Sequence, residues 1–217
     1  MNPNEIQRIV LIDDHPLFRK GLRDLAESEP GLQVVGETDN GTDGLRLVRE
    51  LSPDLVLLDL NMPSMDGLQV LKTLKESDSD AVVIMLTVSD AEEDVVSALR
   101  SGADGYLLKD MEPEELLVKL HQAVEGRVVL SPKLAELLAL SLRGEAKPTT
   151  TEEAGLTERE KEILDLIAAG KPNKAIAREL NIADATVKVH VKHLLKKLKL
   201  KSRVEAAVWA VENRYKG

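Results

Sequence analysis

Four features in the first half of this 217-residue chain could do chemistry together, although the sequence scatters them. They are the pair Asp13–Asp14, then Asp59, Thr87 and Lys109. Three carboxylates in one cleft would repel one another and require a cation. The chain has no cysteine, and a set of hard oxygen donors suits Mg2+, which keeps several waters and binds phosphate oxygens. A carboxylate held in such a cleft can attack a phosphoryl group and form an aspartyl phosphate. The Lys109 ammonium and the Thr87 hydroxyl could then hold the oxygens of the transferred group. Singly, each has a plainer reading. Asp13–Asp14 before His15–Pro16 can cap a helix, Asp59 can serve a turn, and a lone lysine is usually a solvated charge.

Their positions in the predicted elements draw them together. The segments Ile9–Asp13, Leu32–Glu37, Leu55–Leu60, Ala81–Thr87 and Gly105–Leu108 read as strands. The first, third and fourth are nearly continuous apolar runs, as suits strands covered on both faces. Between and after them, Leu17–Ser28, Thr42–Leu51, Gly67–Glu76, Ala91–Ser101 and Pro113–Glu125 carry apolar residues three or four apart. Five strand–helix units predict an α/β doubly wound, five-stranded parallel sheet with helices on both sides. In that class ligands sit beyond the carboxyl ends of the strands. The four features fall at the carboxyl ends of the first, third, fourth and fifth strands, so they should share one edge. Met62–Pro63 and Gly67 shape the loop after Asp59, where glycine permits backbone angles closed to other residues.

The rest of the chain is helical. Ser131–Leu142 could form a connecting helix with Ser131 as its cap, and 143–155 has the polar composition of a linker. Thr157–Glu158–Arg159–Glu160 has the pattern of a capping box opening a helix that stops at Gly170. Asn173–Leu180, Ala183–Leu200 and Ser202–Asn213 follow as helices. The division is a domain over 1–126, a connector over 127–155 and an all-α four-helix domain over 156–217.

Charge divides along the same line. Residues 156–217 hold 14 Lys and Arg against 8 Asp and Glu, whereas residues 1–155 hold 15 against 30. An acidic body with a basic end points to nucleic acid bound at one end only. Aromatic residues are 2% of the chain, which argues against readers that stack single-stranded bases on rings. Absence of cysteine fits a reducing compartment. With no signal-peptide pattern and no apolar run of about 20 residues, a cytoplasmic protein without a membrane segment is expected.

The helical domain supplies the reading surface. Lys188, Lys192 and Lys196 recur at helical spacing, with Val187, Val191, Leu194, Leu195 and Leu198 on the opposite face. A helix anchored by its apolar side can present those lysines to the major groove; the plainer reading is a solvated face. NKAIARELNI, a short turn and ATVKVHVKHLLKKL together form a helix-turn-helix pattern.

With IDDH, LLDLNMPSMDGL, MLTVS and ADGYLLKD in place, residues 9–126 resemble the receiver domain of two-component response regulators. LTEREKEIL, NKAIARELNI and TVKVHVKHLLKKLKLKSRVEAAV resemble the DNA-binding domain of the NarL/FixJ family. The resemblance implies Asp59 as phosphoacceptor, Mg2+ bound by Asp14, Asp59 and the Asn61 backbone carbonyl, and Asp13 acting through a water. It implies Lys109 paired with the phosphoryl group and Thr87 with Tyr106 as a switch pair, the ring packing inward on phosphorylation. Lys188, Val189 and Lys192 would face base edges, and Lys174, Lys196, Lys199, Lys201 and Arg203 could meet phosphates. Val204, Ala207, Val208 and Val211 form a stripe that either packs internally or joins two protomers on DNA. A sensor histidine kinase, an inverted-repeat operator in double-stranded DNA, a second copy of the chain and RNA polymerase are the implied partners.

Two positions depart from the pattern. Asp110 follows Lys109 where many receivers have a cis proline, which leaves that loop's geometry open. Ala183 stands where relatives cap the reading helix with Ser or Thr, so Asp184 would have to substitute. A Mg2+-dependent phosphatase with an aspartyl-phosphate intermediate is the rival enzyme reading. It needs a second aspartate two residues after the nucleophile as general acid, where this chain has Asn61. His190 and His193 lack a third ligand and are expected to be packing and phosphate-neighbour residues. The opposite charges of the two parts further predict that the receiver docks against the basic domain and covers its reading helix.

Overall fold

The computed structural model describes residues 6–77, 79, 81–89, 91–130, 132–142, 148 and 150–213. Strands β1 (Gln7–Ile12), β2 (Leu32–Thr38), β3 (Leu55–Leu58), β4 (Val82–Thr87) and β5 (Gly105–Leu108) form a parallel sheet in the order β2-β1-β3-β4-β5. Helices α1 (Pro16–Glu27), α2 (Gly41–Leu51), α3 (Gly67–Glu76), α4 (Glu92–Arg100) and α5 (Pro113–Val124) alternate with them.

Alternation of side chains along each strand explains why the apolar runs are unbroken. Val10, Ile12, Val56, Leu58, Val83 and Met85 point to the layer of α2, α3 and α4. Ile9, Leu11, Leu55, Leu57, Ile84 and Leu86 point to α1 and α5. Fully burying such a side chain contributes about 1.5–3 kcal/mol, so both faces hold the sheet firmly.

Helix α6 (Pro132–Leu142) packs between α4 and the C-terminal helix, with Leu138 fully buried. The proposed cap Ser131 and linker residues 143–147 and 149 lie outside the described residues. Helices α7 (Glu158–Ala168), α8 (Asn173–Glu179), α9 (Asp184–Leu198) and α10 (Arg203–Asn213) surround a core of Ile163, Ile176, Val187, Leu194, Leu198 and Trp209. The capping box is formed at Thr157 and Glu160. The buried Glu160 carboxylate also receives Lys197 Nζ at 2.7 Å, tying α7 to α9. Trp209 Nε1 donates to the Pro148 carbonyl at 3.0 Å, fixing the approach of the chain to this domain.

The two parts touch. Asn173 N donates to the Glu125 carbonyl at 3.1 Å, and Val204 and Val208 of α10 join the apolar cluster that contains α4 and Leu138.

Candidate functional site

The strand ends converge as the topology requires. Lys109 Nζ lies 2.7 Å from Asp59 Oδ2 and 2.8 Å from Asp13 Oδ2, with all three side chains almost wholly buried. Asp13, Asp14, His15 and Asp59 each place a ligand atom within 4.8 Å of the others. Lys109 also stands 4.9 Å above the Phe18 ring, and its backbone N–H donates to the Thr87 carbonyl at 2.9 Å. Thr87 is fully buried at the end of β4, with its hydroxyl oxygen accepting from Ser89 N at 3.3 Å.

Glycine at 67 is explained by contact, not by backbone angle. A Cβ there would lie 2.1 Å from the Asp59 carbonyl oxygen and 2.8 Å from Leu60 Cα, yet Gly67 has no positive φ. The expectation of a special glycine angle is corrected accordingly: the start of α3 presses directly on the backbone that carries Asp59. Asp66 caps that helix by accepting from Gln69 N at 2.8 Å.

The acidic set fits a hard cation. Asp14 Oδ1 is buried and makes no well-aligned hydrogen bond, although His15 Nδ1 lies 2.8 Å away, and a cation there would offset the cost of burying it. Asp59 Oδ1 accepts only weakly, from Asn61 N at 3.4 Å. The sequence had suggested no role for His15 in the pocket. Here its Nδ1 is 2.8 Å from Asp14 Oδ1 and 3.6 Å from Asp59 Oδ2, so it overhangs the pocket. Its place directly after the acidic pair was the available signal.

Burial raises the Asp59 carboxyl above the usual carboxylate range, the Lys109 ammonium opposing this only in part. A group with a raised folded-state value stabilises the fold at pH below its unfolded value and loses that contribution as pH rises through the folded one. At pH 7 without divalent metal, Asp59→Asn should therefore melt above wild type, and the difference should vanish as pH falls toward 4. Adding Mg2+ should raise the wild-type melting temperature more than the variant's. Thermal melts in EDTA and in Mg2+ check this; a variant that melts lower at pH 7 without metal overturns it.

Tyr106 is buried, its hydroxyl donating to the Ser89 carbonyl at 2.9 Å. Ser89 in turn donates to Asp94 Oδ2 in α4 at 2.6 Å. The ring thus lies inward, linked to the loop after Thr87. No peptide bond is cis among the described residues, so the Lys109–Asp110 link is trans.

On α9, Val187, Leu194 and Leu198 are buried and Lys188, Val189 and Lys192 are exposed. Ala183 makes no side-chain cap, and the Asp184 Oδ1 atom is buried without a partner, so Asp184 does not substitute for the missing cap. Lys199 and Lys201 are exposed, Lys174 is half-buried, and Lys199 closes α9 in a left-handed conformation.

Arg203 is placed differently from expectation. It is buried, with Nη1 donating to Asn173 Oδ1 at 2.8 Å and Nη2 to the Lys171 carbonyl. It braces α10 against the start of α8 and is not presented to a phosphate. Burial lowers its pKa to about 10, with Asp104 of the receiver opposing. In the C-terminal stripe, Val204 is fully buried, Ala207 and Val208 are partly buried, and only Val211 is exposed. Val204 and Val208 are thus engaged inside the chain.

Lys188, Lys192 and Lys196 line a cleft of about 1110 Å³ whose other wall is the receiver, at Arg49, Lys72 and Asp104. That volume suits a small molecule, whereas a major groove must surround the helix to a depth of ~8.5 Å. Lys188, Lys192 and Lys196 thus face the receiver across the cleft, while Val189 lies outside it and is exposed. The receiver side of this cleft sets four cations against the three carboxylates Asp54, Glu76 and Asp104, and Asp104 attracts Arg203 across the junction. Apolar contact through Val204, Val208 and Leu138 joins the two domains beside it.

This fold, with its acidic pocket and helical C-terminal unit, defines a receiver-type domain joined to a helix-turn-helix module. Residues 9–121 match the response regulator receiver domain, and residues 154–210 match the luxR family of bacterial regulatory proteins. The chain belongs to the NarL-like response regulators: a two-component regulator of transcription rather than a metabolic enzyme. It is 55% identical over 214 residues to the nitrate/nitrite response regulator protein NarL of Escherichia coli K12, covering 99% of both chains. It is 44% identical over 201 residues to a nitrate/nitrite response regulator homolog of Haemophilus influenzae, covering 93% of this chain and 94% of that one. Among solved structures it resembles the receiver domain of a NarL from Mycobacterium tuberculosis, at 37% identity and a TM-score of 0.55, over 57% of this chain and 99% of that one. The regulator ChrA of a heme-sensing two-component system matches at 32% identity and 0.52, over 96% and 98%. Among the described residues no helix is long and apolar enough to cross a membrane.

Proposed function

We propose that Asp59 accepts a phosphoryl group from a sensor histidine kinase, and that this frees α9 and α10 for dimeric binding to an inverted repeat. The observation that carries the reading is the buried convergence of Asp13, Asp59 and Lys109 at one sheet edge. Asp14, Asp59 and the Asn61 carbonyl would hold Mg2+, with Asp13 acting through a water; when bound, the ion neutralises charge on the phosphoryl oxygens. The Asp59 carboxylate attacks the phosphorus of the kinase's phosphohistidine, the O–P bond forming as the P–N bond breaks and the imidazole leaves, and Lys109 then pairs with the oxygens of the attached group. Thr87 turns its hydroxyl toward that group, Tyr106 stays packed behind it, and the Ser89–Asp94 link carries the change to α4.

Helix α4 contacts α6 and α10, so its movement loosens the seat of Val204 and Val208. Those residues, with Ala207 and Val211, then meet their equivalents in a second protomer. Lys188, Val189 and Lys192 read bases, while Lys174, Lys196, Lys199 and Lys201 contact phosphates. RNA polymerase is the partner once the protein occupies a promoter. The names of the Escherichia coli and Haemophilus influenzae relatives point to nitrate or nitrite as the stimulus, sensed by the kinase.

Acyl phosphate with Mg2+ should raise wild-type affinity for a selected operator by about tenfold or more and leave Asp59→Asn unchanged. Across salt concentrations, the four phosphate contacts should give a slope of log K against log salt of roughly −3.6. Equal activation of the Asp59→Asn variant would defeat the gating; a flat salt response would defeat the lysine contacts.

A further inference from the structure

In the cleft beside the reading helix, cationic side chains outnumber carboxylates. Nine cationic side chains line it against three carboxylates among the described residues. One of the three carboxylates, Asp104, is already paired with Lys75 at 2.5 Å. Arg49 and Lys72 are exposed on the receiver wall, and Lys188 and Lys196 are exposed on the other.

A second observation concerns Arg203, which lines the same cleft. It is 9% exposed, and its Nε is buried without any hydrogen-bond partner. An unsatisfied donor on a buried cation is costly. Like charges on facing walls repel, and an anion between them would offset that repulsion. Ligand pockets of roughly 300–1,000 Å³ hold small organic molecules, so a space of about 1110 Å³ is ample for a chain of phosphates. No Phe, Tyr or Trp lines it to stack a base, and among the described residues His193 is the one aromatic ring on its wall.

We propose that this cleft binds a phosphate-chain anion, either inorganic triphosphate or the triphosphate of a nucleotide. The anion is held between Arg49 and Lys72 on the receiver and Lys188 and Lys196 on the reading helix, with Arg203 completing the lining. It bridges the two domains, stabilises the covered arrangement and competes with DNA for the same lysines. This rests on the covered arrangement of the preceding section and adds to it a ligand that holds the arrangement shut.

The test is calorimetric titration of the full chain with sodium triphosphate and, separately, with ATP, at fixed ionic strength and without divalent metal. Saturable binding of one anion per chain is expected, with comparable affinity for the two ligands. The double variant Arg49→Ala/Lys72→Ala changes only exposed receiver residues outside the phosphorylation pocket. It should weaken binding by about tenfold or more, as expected when charge-assisted contacts are removed.

Absence of saturable binding overturns the proposal. So does unchanged affinity in the double variant, which would place the anion on the reading helix alone, and so does a strong preference for ATP. A chain locked shut by a disulfide between positions 102 and 201 separates the two readings. If the lock forms and DNA binding is lost while triphosphate still fails to bind, the anion site falls and the covered arrangement stands. If the lock does not form, the covered arrangement falls.

Discussion

Carrying Gly102→Cys and Lys201→Cys together, the oxidised protein should lose DNA affinity by on the order of 100-fold, and reduction should restore it. Position 102 lies at the end of α4 in the receiver and position 201 lies just after the reading helix. A Cβ built at Gly102 would stand 3.3 Å from Lys201 Cβ, close to the ~3.5–4.5 Å separation of bonded cysteines. The chain has no cysteine of its own, so no other thiol can compete. Gly102 has φ of +107°, and a side chain there costs about 1–3 kcal/mol. That strain acts on the oxidised and reduced forms alike, so comparing them within one chain isolates the effect of the lock. The covalent link holds Lys188, Lys192 and Lys196 against the receiver wall, where no groove can surround them. Gel shift or fluorescence anisotropy with and without reductant reads the outcome. An oxidised protein that binds DNA as tightly as the reduced one would show that this face of α9 is not the reading face.

How much of this was legible in the sequence depends on the range of the interaction. The strands and helices of the receiver were legible within a residue or two, because alternation along an apolar strand and three-to-four spacing along a helix are local patterns. Gly67–Glu76 and Gly105–Leu108 were placed with their observed bounds. The meeting of Asp13, Asp59, Thr87 and Lys109 was also legible, since a parallel sheet brings its strand ends to one edge whatever lies between. Residues whose surroundings come from another part of the chain were not. Arg203 looked like one more cation of a basic domain, and nothing local marks it for burial by Asn173 and Lys171. Net charge predicted the docking of the two domains but not its chemistry. The average over 155 residues is acidic, whereas the wall facing α9 sets Arg49, Lys72, Lys75 and Arg127 against Asp54, Glu76 and Asp104. The stripe of Val204 and Val208 allowed two uses, and only the placement of α6 decides between them in this conformation.

That placement makes α6 the element on which the covered state depends. Leu138 is fully buried where α4, α6 and α10 meet, in one apolar cluster with Val204 and Val208. Truncating a buried leucine to alanine typically costs 2–5 kcal/mol, because the cavity left behind collapses only in part. If α10 leaves this junction when the protein opens, much of that cost falls on the covered state alone. A shift of about 2 kcal/mol between two states changes the competent fraction roughly 30-fold. Leu138→Ala combined with Asp59→Asn should accordingly bind operator DNA on the order of 30-fold more tightly than Asp59→Asn alone, with no phosphoryl group attached. The Asp59→Asn background removes the alternative that phosphorylation by small-molecule donors produced the gain. A melting curve distinguishes release from general loosening, since a released DNA-binding domain keeps its own core of Ile163, Ile176, Leu194 and Trp209 and melts as before. If the double variant stays as weak a binder as Asp59→Asn while its receiver is destabilised, Leu138 serves the receiver core only. The coupling between pocket and reading helix would then have to run elsewhere, through Asn173 and the Glu125 carbonyl at the other contact between the two domains.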